Sequence, residues 1–415
     1  MLTDFRTYAA LTWRPAARIS VLYGPNGSGK TNLLEALSLL VPGRGLRSAR
    51  TADLPRLGGS GAWAVAARFT TQDGETEIGT GTPVGALAGG AEGVDRRVFR
   101  LDGVAPRSQA EIARRIAAVW LTPRMDRLFQ EGLSGRRRFL DRLVWAMEPG
   151  HAREMAAHDT AVGNRNRLLA EGRSRGQSRG STGGPTGGQS GGPPNGQQGR
   201  AWLSAVEDAI ARHAVAATAA RMALVTRLNA QATFGFPQAR IALSCPIAER
   251  LAQAPALAVE DWLRAGLEAS RGRDEAAGTT SLGAHRTDML LADAETGVAA
   301  ALASTGQQKA LLIGVVLSHA GLIASTRGFP PLLLLDEPAV HLDGDRRRAL
   351  WDALTALPAQ TFITGTDSGI FLPLKDQAEA YAAGEGHLRS DSRFLTEETP
   401  HREAPMTESP VAETL

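Results

Sequence analysis

ISVLYGPNGSGKTNLLEALSLL, residues 19–40, holds three elements in one line. Its first five residues form a short apolar run of strand character. Residues 31–40 carry leucines at 33, 34, 37 and 40, the spacing of one helix face. Between them GPNGSGKT, residues 24–31, matches the phosphate loop G-x-x-x-x-G-K-[ST]. Glycines let the backbone wrap an anion with its N–H groups turned inward. The candidate phosphate-holding residues are therefore Gly24, Pro25, Asn26, Gly27, Ser28, Gly29, Lys30, Thr31 and Asn32. Lys30 places a compact positive charge on the outer phosphates and counts also as a catalytic candidate. The Thr31 hydroxyl is a candidate Mg²⁺ ligand.

A strand, a loop and a helix need partner strands, and PLLLLDEPAVHLD, residues 331–343, supplies one. Four leucines in a row read as a strand buried on both faces, as in the core of a parallel sheet. Asp336 then emerges at the strand's C-terminal end, where open α/β sheets bind ligands, and is the second candidate Mg²⁺ ligand. Glu337 follows with its side chain turned the other way, and is the candidate to polarise an attacking water. The two acids read alternatively as helix caps. A total of 306 residues separates Lys30 from Asp336, too many for one mononucleotide-binding unit. Something is inserted between them.

A second helix start lies at STGQQKALL, residues 304–312. Ser304 reads as the N-cap and Gln307 as its capping-box partner. Helix starts attract anions through unpaired N–H groups and the macrodipole. Taken alone, the stretch has a second, weaker reading as an ordinary capped core helix.

Composition narrows the field. The single cysteine, Cys245, allows no intrachain disulfide and fits a reducing cytosol. The longest apolar stretch, 310–324, is too short to span a bilayer and reads as a buried helix. A phosphate loop already at Gly24 leaves no room for a signal peptide. Net charge is +3, so composition alone does not announce nucleic acid. Of 46 basic residues only Lys30, Lys309 and Lys375 are lysine, so a retained lysine is a candidate for a role that arginine's fork cannot fill.

Along the chain, residues 60–105 alternate short apolar runs with Gly, Thr and Asp turns, an antiparallel β pattern. From 107 to 170 the pattern is helical, with Ser134 as a candidate cap for the helix through RRRFLDRLVWAM. Residues 172–200, rich in Gly, Ser, Pro and Gln, predict a flexible loop between helices at 151–170 and 201–230. Strands are expected at 238–244, 284–303, 332–335 and 360–364, and helices at 306–324 and 345–356. The polar tail from 385 predicts disorder. The domains expected are a first lobe with the phosphate loop (1–106), an inserted helical arm (107–280), a second lobe (281–384) and the tail (385–415). The fold class is α/β, a mixed or parallel sheet carrying the phosphate loop, with an antiparallel β subdomain and an inserted α-helical arm.

The order of phosphate loop, STGQQK and acid pair resembles the ATP-binding-cassette (ABC-type) ATPase head. Within that superfamily LTDFRTY (2–8), GRRRFLDRLV (135–144), NRNRLL (164–169), GAHRTDM (283–289) and the motifs above together resemble the RecF family, relatives of the SMC proteins. The resemblance covers about residues 2–370. It implies ATP and Mg²⁺ as cofactors and a homodimer in which Ser304, Gly306 and Gln307 face the nucleotide of the other copy. Asp343 matches the D-loop acid. The resemblance further implies slow, DNA-stimulated hydrolysis acting as a switch, binding to double-stranded and gapped DNA, and work with RecO and RecR to load RecA, in the cytoplasm and off the membrane.

Some features depart from cassette ATPases in general. FITGTD (362–367) offers Thr366 and Asp367 where transporter cassettes have a histidine, STGQQ replaces LSGGQ, and LTPRMDRLF (121–129) has no glutamine where a Q-loop is expected. These argue against an importer's ATPase subunit, and the lack of a long heptad-rich arm argues against an SMC-like structural ATPase. The start at MLTDF is shorter than the resemblance leads one to expect, implying an upstream start. Arginines 44, 47 and 50, 136–138 and 346–348 are candidate phosphate contacts for sequence-independent DNA binding, or solvated faces. His285, Arg286 and Asp288 read as either an Arg–Asp pair holding arm to head or a functional contact.

Overall fold

The computed structural model describes residues 1–71, 74–83, 97–178 and 197–394. Its centre is a six-stranded sheet. The strands are β3 (Ile19–Tyr23), β7 (Ala118–Leu121), β10 (Leu332–Leu335), β11 (Gln360–Gly365), β12 (Ala378–Gly384) and β13 (His387–Ser390), in the order β13-β12-β3-β11-β10-β7. All neighbours are parallel except β12 and β13. The phosphate-loop strand β3 and the acid strand β10 flank β11, so both strand ends open onto one edge. Leu332 to Leu335 are all buried, which is why four leucines can follow one another there.

A second, antiparallel sheet holds β1 (Leu2–Phe5), β2 (Tyr8–Leu11), β4 (Ala64–Thr71), β5 (Gly74–Gly81) and β6 (Val98–Leu101), in the order β2-β1-β4-β5-β6. Helix α1 (Lys30–Ser38) shares one apolar core with this sheet and with one face of the central sheet. The other face is covered by the long core helix from Thr305 to Arg327 and by a helix from Leu133 to Met147.

In chain order the helices after α1 are α2 (Gln109–Arg115), α3 (Leu133–Met147), α4 (His151–Ser178), α5 (Gln197–Ala230), α6 (Pro246–Leu251), α7 (Ala256–Ala269), α8 (Arg271–Ala277), α9 (Thr305–Arg327) and α10 (Gly344–Ala356). The antiparallel pair α4 and α5 forms the arm, closed by α6–α8 and a third apolar core around Ile210, Ala214 and Leu263. A two-stranded ribbon, β8 (Ala239–Ser244) with β9 (Asp288–Asp293), joins arm to head.

Several expectations change. The stretch 107–170 is not helical throughout: β7 lies within it, as the edge strand beside β10. A four-residue apolar run, AVWL, has no periodicity to announce a strand. Ser134 does not cap α3; Gly132 is the N-cap and Ser134 falls in the first turn. Helices α4 and α5 reach Ser178 and Gln197, inside the stretch expected to be a loop; residues 179–196 lie outside the described part. Strands β12 and β13 were not anticipated, and the latter falls in the segment expected to be a disordered tail. Helix α9 is longer than the apolar stretch suggested. Among the described residues it is the one helix long and apolar enough to cross a membrane, yet 83% of its most apolar window is buried inside the protein.

Candidate nucleotide-binding site

The phosphate loop joins β3 to α1. Gly24, Gly27 and Gly29 have φ of 146°, 84° and 99°, where a side chain is strained. At Gly24 a Cβ would stand 2.5 Å from the Ala383 carbonyl, and at Gly29 it would meet the Thr7 and Tyr8 hydroxyls at 2.8 and 2.9 Å. The loop is thus wedged between β12 and the first hairpin. Pro25, Asn26 and Gly27 are exposed at its tip, whereas Ser28 and Lys30 are buried. The Lys30 ammonium lies within the loop, donating to the Gly24 and Pro25 carbonyls at 2.7 and 2.9 Å. Burial lowers its pKa, and the charges of Glu337 and Asp336 oppose that.

Thr31 at the start of α1 donates to Asp336 Oδ1 at 2.9 Å. Thr364, fully buried on β11, donates to the same oxygen at 2.8 Å and accepts from the Glu337 N–H at 2.9 Å. A hydroxyl and a carboxylate from opposite sides of β11 therefore converge. Hard oxygen donors of this kind suit Mg²⁺, which keeps water and phosphate among its ligands. Among the described residues no group of three His, Cys, Asp or Glu side chains is arranged to hold a metal by itself. Glu337 is half-buried and has a φ of 52°, a left-handed backbone unusual for a glutamate. The acid pair does not cap the next helix: Asp343 does, accepting from the Arg346 N–H at 2.8 Å.

The second helix start is built as its sequence reads. Ser304 Oγ accepts from the Gln307 N–H and Gln307 Oε1 accepts from the Ser304 N–H at 2.9 Å, a complete capping box. Ser304, Thr305 and Gln307 are exposed, and Leu302 beside them is 83% exposed. Gly306 packs against the loop after the acid pair; a Cβ there would stand 2.8 Å from the His341 carbonyl. The candidates thus fall into two groups within the chain. Residues 24–32, Asp336 and Glu337 form one, and Ser304, Gly306, Gln307 and Asp343 lie at an exposed helix start and loop. Asn32 is held by Thr7 and Arg47, at 3.1 and 2.7 Å.

A sequence model of the RecF/RecN/SMC N terminal domain matches residues 1–386. The DNA replication and repair protein RecF of Mesorhizobium japonicum is 44% identical over 390 residues, spanning 93% of this chain and 95% of its own. The chain belongs to the RecF family. RecF of Rhizobium etli is 40% identical over 392 residues, spanning 93% and 96%. Two solved structures share the fold. The recombination mediator protein RecF-ATPrS in the RecFOR pathway aligns with a TM-score of 0.74 and 20% identity over 94% of this chain and 96% of that one. RecF-ATP aligns at 0.71 over 94% and 97%. The architecture is accordingly an ABC ATPase head of the RecF kind.

The blocks that carried the RecF resemblance hold the site and the arm in place. In FRTY, Arg6 forks onto buried Glu35 of α1 at 2.8 and 2.9 Å, and the Tyr8 hydroxyl donates to the Gly29 carbonyl at 3.1 Å. In RRRFLDR, Arg136 forks onto Asp288 at 2.7 and 3.0 Å, and Asp141 receives Arg221 at 2.8 and 2.9 Å. In NRNRLL, fully buried Arg165 binds Glu207, Asp274 and the Leu267 carbonyl. The Arg286–Asp288 pair does not form: Asp288 takes Arg136, while Arg286 donates to the Thr280 carbonyl. His285 binds the same carbonyl at 3.0 Å, and burial lowers its pKa to about 4.

Of the arginine clusters, Arg136 is thus committed to Asp288, Arg47 to Asn32 and Glu35, and Arg346 to Asp343. Arg44, Arg50 and Arg138 are exposed. Residue reading did not single out Thr364. A threonine one residue from the C-terminal end of an inner strand carries no signal until β11 is known to separate β3 from β10.

Proposed function

We propose that this chain is an ATP-dependent DNA replication and repair protein of the RecF kind, whose ATP site is completed by a second copy. One observation carries the reading: the helix start at Ser304 is fully capped yet open at the surface, with exposed Leu302 and Val340 nearby, rather than turned into the core. An exposed capped start with apolar neighbours suits an anion carried by another molecule.

In this reading residues 24–32 hold the phosphates through backbone N–H groups, and Lys30 binds the outer ones. Thr31 and Asp336 hold Mg²⁺, whose charge, when bound, neutralises that developing on the phosphates. Glu337 orients and polarises the attacking water. Ser304, Gly306 and Gln307 face the nucleotide of the second copy, and Asp343 reports across the pair. Hydrolysis is slow and DNA-stimulated, and it releases the pair. Duplex and gapped DNA are bound without sequence preference through exposed arginines such as Arg44, Arg50 and Arg138. The chain works with RecR and RecO, ahead of RecA loading in the cytoplasm; its place in the RecF family and the RecFOR pathway named for the solved relatives support this reading.

Gel filtration of Glu337→Gln tests this. A dimer is expected only with ATP, tightened by duplex DNA, with DNA affinity falling steeply as salt rises. A monomer under all conditions removes the paired site. A flat salt response removes the phosphate contacts.

A further inference from the structure

Lys309 lies five residues beyond Ser304 in α9 and is 1% exposed. Its ammonium donates to the Glu337 carbonyl oxygen at 3.0 Å and to Asp126 Oδ2 at 3.3 Å. Asp126 comes from the 3-10 turn Pro123–Arg127, directly after β7, in the segment that stands where a Q-loop was expected. Burial raises the Asp126 pKa and Lys309 works against that rise; the other carboxylate oxygen is buried without a hydrogen-bond partner.

The contact to Glu337 matters because of that residue's backbone. A left-handed φ of 52° at a glutamate persists only when its surroundings hold it there. Thr364 accepts from the Glu337 N–H, and Lys309 donates to the Glu337 carbonyl. The peptide units on both sides of Glu337 are therefore pinned, and they set where its side chain can point. A point charge between one carbonyl and one carboxylate is a task for lysine rather than for arginine's planar fork. That accounts for a lysine in a chain whose basic residues are otherwise nearly all arginine.

We propose that Lys309 is a positioning residue for Glu337, with Asp126 as its anchor, and that it links the helix start at Ser304 to the acid of the same chain. The link rests on the proposed paired site, because only there does α9 meet a second nucleotide. Five helical residues rise about 7.5 Å, so one rigid segment would touch the second copy's triphosphate at its tip and this chain's acid along its side.

The test uses the full chain with ATP, Mg²⁺ and duplex DNA, comparing Lys309→Met and Asp126→Asn with wild type. Lys309→Met is expected to lower kcat by about tenfold to a hundredfold, the range for a misplaced reacting group. KM should stay within about twofold, because ground-state binding is untouched. Asp126→Asn, at a less buried position, should lower kcat by a smaller factor in the same pattern. A wild-type kcat in Lys309→Met, or a loss matched by an equal rise in KM in both variants, overturns the assignment. The contact lies within one chain, so the kcat comparison decides it whether or not wild type pairs with ATP, while pairing measured separately decides the proposed function.

Discussion

Thr364→Val is the substitution that isolates the geometry between the two strand ends. Valine keeps the shape and fills the same buried space, but it cannot donate to Asp336 or accept from Glu337. The hydroxyl makes both contacts, at 2.8 and 2.9 Å, from a fully buried position. A hydrogen bond to a charged group contributes about 2 kcal/mol, and a buried N–H left without a partner costs about 1 kcal/mol or more. The substitution should therefore lower stability by about 3 kcal/mol. If half of that appears as lost orientation of the acid pair, kcat falls about tenfold. Thr364→Ser retains the hydroxyl and should stay near wild type in both readouts. The assays are denaturant unfolding followed by tryptophan fluorescence and steady-state ATP hydrolysis. A Thr364→Val protein that unfolds and hydrolyses like wild type would refute the claim that this hydroxyl organises the site.

Three further outcomes are expected. Gly306→Ala places a methyl 2.8 Å from the His341 carbonyl, so ATP-driven pairing should be lost while a single chain still binds a fluorescent ATP analogue; normal pairing would mean that this close approach is not needed. Arg136→Ala leaves Asp288 unpaired in a largely buried fork and should cost about 3 kcal/mol, whereas Arg348→Ala, at an exposed pair, should cost almost nothing in the same unfolding assay. His285 is held neutral in the fold, its pKa lowered by burial from 6.5 to about 4, while the unfolded chain takes up a proton below 6.5. Its contribution is thus full above pH 6.5 and is lost as pH falls towards 4, so the stability difference between wild type and His285→Gln should narrow over that window.

Much of the site could be read before the fold was known, because its motifs are local. The phosphate loop, the buried leucine strand with its acids, and the capping box each lie within a dozen residues, and each has a mechanical reason for its spacing. What escaped notice depends on contacts distant in sequence. Thr364 matters only because β11 lies between β3 and β10. Asp288 meets Arg136 across 152 residues rather than Arg286 two residues away. Strand β7 hid among helical patterns because four buried residues cannot display a period, and β13 hid because an edge strand of mixed polarity resembles a tail. The helices α4 and α5 run into a Gly- and Ser-rich stretch, so local propensity, a weak signal, did not mark their ends. The lysine count did point to Lys309, but not to what its ammonium holds.

The most direct measurement is a cross-link between copies. Cys245 is buried, so cysteines placed at exposed positions can be labelled selectively. One chain carrying Asn26→Cys, at the exposed tip of the phosphate loop, is mixed with another carrying Leu302→Cys, exposed beside the capped helix start, and treated with a short bifunctional maleimide. The account predicts a covalent heterodimer that forms with ATP and Mg²⁺ and is absent without nucleotide. No product with ATP, or equal product without it, would contradict a site shared between two chains.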